Sequence, residues 1–226
     1  MRLVFLLVLD PFVVIERIRL LYRTLAQRSL AWFEDFRFRR NGICNRLMIE
    51  IRDVLTDDKP NMTAIFKAHV ECQRPRTVLI EGDPGMGKTT YCQKLAYDWA
   101  TEQKKWDPSF PEIEVLLLIK CHEIKSDIWE AINDQILPEE MDDQAKKCFF
   151  QFVRENQSKV LLILDGLDEA DPSKLKMFSK LVKGKELSDC YIVLTSRHEA
   201  GKKLRRHCDT LWEMYRTHPG RCKKLY

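Results

Sequence analysis

The sequence predicts an α/β protein: a mostly parallel five-stranded sheet with helices on both faces, preceded by an N-terminal helical extension. Three observations in its 226 residues carry that expectation. Short β-branched and aliphatic runs recur at residues 77–80, 113–119, 160–164 and 191–194. Segments with helical spacing separate them, which is the pattern of βαβ units and a parallel sheet. The first run breaks into Gly82-Asp83-Pro84-Gly85-Met86-Gly87-Lys88-Thr89-Thr90, and a helical pattern follows at once. That is a G-x-x-x-x-G-K-[ST] phosphate-binding loop in the strand–loop–helix setting it requires.

Composition bounds the alternatives. Hydrophobic residues make up 45% and charged residues 32%, as in a globular chain. The net charge is +4 with both signs mixed along the sequence, so it makes no case for nucleic acid. The basic run Lys202, Lys203, Arg205, Arg206 reads as a solvated helix face. Eight cysteines include no C-x-x-C pair, which argues against zinc, and the five histidines show no metal-ligand spacing. The cysteines read as buried or free thiols of a reducing compartment.

Taken in order, the chain opens on Arg2 and an apolar run at residues 3–9, like the start of a secretion signal. Asp10-Pro11 interrupts the run, no small-residue cleavage site follows, and it is too short to span a bilayer. We read it as a segment that packs on something, with membrane targeting as the lesser alternative. Val14, Ile18, Leu21 and Leu25 then predict one amphipathic helix. Within residues 32–55, Trp32, Phe33, Glu34, Asp35, Phe36, Arg37 and Phe38 alternate toward a short strand or a half-buried lead-in. Residues 56–60 read as a linker, and Asn61 as the cap of a short helix with Ile65, Phe66 and Val70 on its apolar side.

After the loop, Tyr91, Leu95 and Trp99 predict one helix face. Residues 113–119 are apolar apart from Glu114, as in a strand buried on both faces. Ser126 opens a helix with Ile128, Ile132 and Ile136, closed by Pro138, and residues 139–156 give another. The run 160–164 is a strand ending in Asp165. Pro172 starts a helix that Gly184 ends. The run 191–194 is a strand ending in Thr195-Ser196-Arg197; a basic helix and a last short strand at 210–214 follow. The expected organisation is an extension at 1–60, the α/β domain at 61–214 and a tail at 215–226.

In such sheets ligands bind beyond the carboxyl ends of the strands, and three strand ends here carry chemistry. In the loop, Gly82, Gly85 and Gly87 permit positive φ and close backbone approach, so successive N–H groups can wrap a phosphate. Lys88 would reach the β- and γ-phosphates, and the Thr89 hydroxyl would sit on Mg2+. Asp165 is placed to hold that Mg2+ with Thr89. Asp168 or Glu169 could orient or deprotonate the attacking water. Arg197 could sense whether the nucleotide is a tri- or a diphosphate.

Together with Leu161-Leu162-Ile163-Leu164-Asp165-Gly166-Leu167-Asp168-Glu169-Ala170 and Ile192-Val193-Leu194-Thr195-Ser196-Arg197, the loop resembles a NACHT domain of NOD-like receptors and related P-loop NTPases. The glycine after Asp165 and the Asp-Glu pair beyond it are the specific part. The resemblance covers residues 77–214, and the segment at 32–50 is similar to the lead-in of expanded invertebrate receptor families. It implies a cytoplasmic switch that binds ATP (or dATP or ADP) with Mg2+, hydrolyses slowly, and controls self-association or association with other NACHT proteins in innate-immune signalling. By motif position it makes Lys88 and Thr89 phosphate and Mg2+ contacts, Asp165 the Mg2+ acid, Asp168 and Glu169 hydrolysis residues, and Arg197 the first sensor. The family's downstream helical and winged-helix segments have no counterpart in residues 215–226, and no death-fold domain fits in the first 76, which implies a truncated or decoy form. Two other readings stay open: a ring-forming AAA+-like motor, and a small phosphoryl-transfer enzyme, which the Asp165–Glu169 stretch fits poorly. An unpaired sheet edge near 210–214 is a further expectation.

Overall fold

Val78, Leu79 and Ile80 have no side chain exposed, and around them the sheet is built. The computed structural model describes residues 10–31, 47–51, 63–102 and 106–216. The apolar run at 3–9, the alternating stretch at 32–38, the linker at 56–60, Asn61 and the tail beyond Arg216 lie outside these.

The strands are β1 (Leu47–Ile51), β2 (Thr77–Gly82), β3 (Val115–Lys120), β4 (Val160–Asp165), β5 (Tyr191–Ser196) and β6 (Thr210–Arg216), in the order β1-β6-β2-β5-β4-β3. From β6 to β3 all pairings are parallel, which is the expected five-stranded parallel sheet. The sixth, β1, adds antiparallel to β6 with Ile49 opposite Met214. Thus β6 lies between β1 and β2, and the expected free edge at 210–214 is paired on both sides.

The helices are α1 (Pro11–Ala31), α2 (Lys88–Ala100), α3 (Ile128–Gln135), α4 (Asp143–Glu155), α5 (Leu175–Val182) and the single turn α6 (His198–Gly201). The β2–α2–β3 crossover runs across the sheet one way, and the later crossovers step back the other way. Right-handed connections then put α2 on one face and the later helices on the other. Asp127, not Ser126, caps α3 by accepting from Trp129 and Glu130 N–H, and Asp142 caps α4 in the same way. Pro172 begins a 3-10 turn capped by Asp171 that leads into α5, and Gly184 after it has φ +61°. The expected helix near Ile65 is only a 3-10 turn, Ala64–Phe66; Phe66 packs on Phe110 and Tyr191, while Val70 is 98% exposed. The expected basic helix after Arg197 shrinks to α6 and a 3-10 turn, Arg205–His207.

Helix α1 buries Val14, Ile15, Ile18 and Tyr22, whereas Leu25, expected on the same side, is exposed. It lies against α2: Tyr22 meets Trp99 edge to face, Arg19 stands over the Trp99 ring, and Arg23 Nε donates to Ala100 O at 2.6 Å. That guanidinium sits at the negative end of α2, where a cation is favoured. The Tyr22 hydroxyl also accepts from Leu118 N–H (2.9 Å) and donates to Leu116 O (3.2 Å). It therefore takes the place of a further strand on the outer edge of β3. In Tyr22→Phe both bonds vanish and two backbone groups stay buried. A loss of about 1–3 kcal/mol should appear as a lower denaturant midpoint with an unchanged slope.

Among the described residues no helix is long and apolar enough to cross a membrane. The six described cysteines are free thiols, as the sequence leads one to expect. Burial pushes Cys190 and Cys208 up to about 12. At pH 8 only about one such thiol in ten thousand is ionised, and the thiolate is the reactive form. In the native protein iodoacetamide should modify the half-buried Cys72 and Cys148 well before Cys190 or Cys208, and denaturant should remove the difference when peptides are counted by mass spectrometry.

Candidate nucleotide site

The loop leaves the interior strand β2 at Gly82. Gly85 (φ +75°) and Gly87 (φ +95°) take the left-handed backbone that the motif demands. Gly82 is glycine for another reason: a Cβ there would come within 2.6 Å of the Met214 backbone oxygen on β6. Asp83, Pro84 and Gly85 are exposed, and Met86 packs on the core below. Gly87 caps α2 without any side-chain hydrogen bond, so no capping side chain occupies the helix's first N–H groups. A helix start left this way, with the positive end of its dipole, suits an anion. Lys88 begins the helix, with Thr89 exposed and Thr90 half-buried beside it.

Lys88 folds back over the loop, donating from Nζ to Gly82 O (2.6 Å) and Asp83 O (3.1 Å). Burial holds its pKa below the usual lysine range; Arg197 adds to that, while Asp168, Asp165 and Asp83 oppose it. The same field thus links residues from the ends of β2, β4 and β5.

Asp165 ends β4 and is 8% exposed. Its Oδ1 accepts from the Thr195 hydroxyl (2.6 Å) and meets the Cys92 thiol of α2 at 3.7 Å. Thr195 Oγ1 in turn accepts from Gly166 N–H at 2.9 Å. Gly166 has φ +78°, which turns the chain sharply after the strand. Both bonds to the carboxylate fall on Oδ1, so Oδ2 is the oxygen that could take a metal ion or its water. A carboxylate and the Thr89 hydroxyl are hard oxygen donors of the type Mg2+ takes together with phosphate and water. Among the described residues no cluster of three His, Cys, Asp or Glu could hold a metal by itself.

Asp168 and Glu169 share one 3-10 turn, Leu167–Glu169, but not one environment. The Asp168 side chain is 12% exposed and takes Arg197 twice, from Nε (2.8 Å) and from the backbone N–H (3.1 Å). Glu169 is 56% exposed and stands beside the His122 ring, whose Nδ1 is 3.5 Å away. Thus Asp168 joins the group around Lys88, and Glu169 stands at its rim on the side of β3.

Sequence reasoning left Thr195, Cys92, Glu81 and His198 without roles, and it put Arg205 on a solvated helix face, whereas Arg205 turns inward to the buried carboxylate of Glu81. One signal was available for Thr195: it is a hydroxyl at the end of an aliphatic run, and it is fully buried. Cys92 meets Asp165 across 73 residues, and His198 and Arg205 meet Glu81 across 117 and 124, so no local pattern marks these pairs.

A parallel sheet with the phosphate loop on an interior strand, and an acidic strand end two strands away across β5, defines an α/β nucleotide-binding domain of the P-loop class. Within that class the chain belongs to the NACHT family, since the profile of the NACHT domain matches residues 76–218. Among curated proteins it is 33% identical over 144 residues to Protein NLRC5 of Mus musculus, covering 58% of this chain and 7% of that protein. It is 27% identical over 128 residues to NLR family CARD domain-containing protein 4 of Xenopus tropicalis, covering 57% and 12%. It is 26% identical over 176 residues to NACHT, LRR and PYD domains-containing protein 6 of Mus musculus, covering 69% and 19%. The chain therefore spans a small part of the relatives it matches. Helix α1 and strand β1 lie outside the stretch matched by the NACHT profile.

Proposed function

We propose that this chain is an ATP-binding module that works as a nucleotide-controlled oligomerisation switch in innate-immune-type signalling, with slow hydrolysis at most. The observation that carries this is the grouping of Lys88, Asp165, Asp168 and Arg197 at the ends of three strands of one parallel sheet. In this reading residues 82–90 cradle the phosphates and Lys88 exchanges its carbonyl partners for β- and γ-phosphate oxygens. Thr89 and Asp165 would hold Mg2+, which would supply charge neutralisation at the phosphates. Arg197 trades Asp168 for a γ-phosphate, and the released Asp168, with Glu169 at the rim, orients water for slow hydrolysis. ATP, dATP and ADP all offer the phosphates that the loop would read. The implied partners are further copies of the chain or other NACHT proteins, in the cytoplasm.

The test is Mg2+-dependent binding of a fluorescent ATP analogue to purified protein, followed by its release. Retention over many minutes with little turnover supports a switch. Release and turnover within seconds would point to the AAA+-like motor instead. A folded protein that binds no nucleotide would sink the proposal.

A further inference from the structure

Glu81 is the last side chain of β2 before the phosphate loop, and it is 1% exposed. A carboxylate so buried needs matched hydrogen-bonding partners. Those partners come mainly from the segment that follows Arg197. Arg205 grips the carboxylate with both prongs, Nε to Oε1 at 2.9 Å and Nη2 to Oε2 at 2.7 Å. His198 Nδ1 stands 3.4 Å from Oε2, and its Nε2 is 3.4 Å from Glu213 on β6. Arg205 Nη2 also donates to His198 O at 3.2 Å, which closes the loop on itself. Gly201 passes so near the carboxylate that a Cβ would overlap Oε1, so a bare backbone is needed there.

The contacts around Glu81 lead to both ends of the nucleotide site. On one side the next residue, Gly82, holds Lys88 Nζ through its carbonyl. On the other, Ser196 lies opposite Glu81 in the β2–β5 register, immediately before Arg197. Gly201 N–H donates back to Arg197 O at 3.1 Å. Apolar side chains of equal volume could fill the same space and stabilise the fold as well. What they could not supply is the direction that a two-pronged guanidinium–carboxylate pair imposes.

We propose that Glu81, Arg205 and His198 form a positioning network that ties the phosphate loop to Arg197, so that the loop's response to ATP as against ADP depends on Glu81. The inference rests on Arg197 sensing the γ-phosphate, as above.

The experiment measures Mg-ATP and Mg-ADP dissociation constants for the parent, Arg197→Ala, Glu81→Gln, Arg205→Lys and the double variant Glu81→Gln/Arg197→Ala. Arg205→Lys keeps the charge and loses the fork, so it serves if Glu81→Gln does not fold. Arg197→Ala should shift the ATP-to-ADP affinity ratio. Glu81→Gln or Arg205→Lys should shift it the same way, roughly three- to tenfold, and the double variant should add nothing to Arg197→Ala. A lowered melting temperature with the parent ratio intact would make the network structural only and overturn the inference, as would additive shifts in the double variant. A parent that binds no nucleotide, or whose ratio ignores Arg197→Ala, overturns the switch reading and this inference together.

Discussion

Replacing Lys88 by alanine should cost the protein most of its nucleotide affinity while leaving it folded. The ammonium stands at the start of α2 with its charge already disfavoured by burial, and its present partners are two loop carbonyls, Gly82 O and Asp83 O. A triphosphate offers anionic oxygens in their place. Charge-assisted hydrogen bonds contribute about 1.5–3 kcal/mol each, so losing one or two lowers affinity by roughly tenfold to ten-thousandfold. The fold should be spared, because alanine is a good helix former and the side chain lies outside the hydrophobic core. Titration with the fluorescent analogue, beside a melting curve for each protein, checks both halves. Parent-like affinity in Lys88→Ala would remove the loop from the binding site.

Asp165→Asn should uncouple nucleotide binding from Mg2+. Asparagine keeps the shape, and its amide oxygen can still accept from Thr195 and Cys92 as Asp165 Oδ1 does. Stability should therefore change by about 1 kcal/mol or less. What is lost is the charge and the second acceptor, and with them the hard anionic ligand proposed for the metal. In the parent, EDTA should weaken ATP-analogue binding; in Asp165→Asn it should have little effect, and any slow phosphate release should fall about tenfold or more. If the variant responds to EDTA as the parent does, another residue holds the metal.

Both expectations began as sequence patterns, and the reason they were legible is that each is local. A phosphate loop needs its glycines, Lys88 and Thr89 within one turn of chain, so the motif sits whole in residues 82–90. Asp165 and Arg197 stand at the point where an aliphatic run stops, and strand ends in a parallel sheet face the ligand edge. The α/β class followed from the alternation of runs, and the sheet has the expected parallel strands β6, β2, β5, β4 and β3. The short elements were misjudged where local signals are weakest: Val70 points to water rather than completing a helix, and α6 is one turn rather than a basic helix.

By itself, then, the sequence determined the class of fold, the loop, and which acids and cations stand at strand ends, because backbone preference and glycine chemistry act over a few residues. Only the tertiary structure decided the order of the strands, and with it the neighbours of each strand end. Because β5 lies between β2 and β4, Thr195 can hold Asp165, and Arg197 can hold Asp168. Because β6 pairs with β2 on one side and β1 on the other, the expected free edge is closed and Gly82 has no room for a side chain. Asp168 and Glu169 looked equivalent as neighbours in sequence, yet burial commits one to Arg197 and leaves the other at the rim. Glu81 meets Arg205 across 124 residues, and Tyr22 meets β3 across 94 and 96. Contacts of that separation form only once the chain has closed on itself, and no periodicity in the sequence announces them.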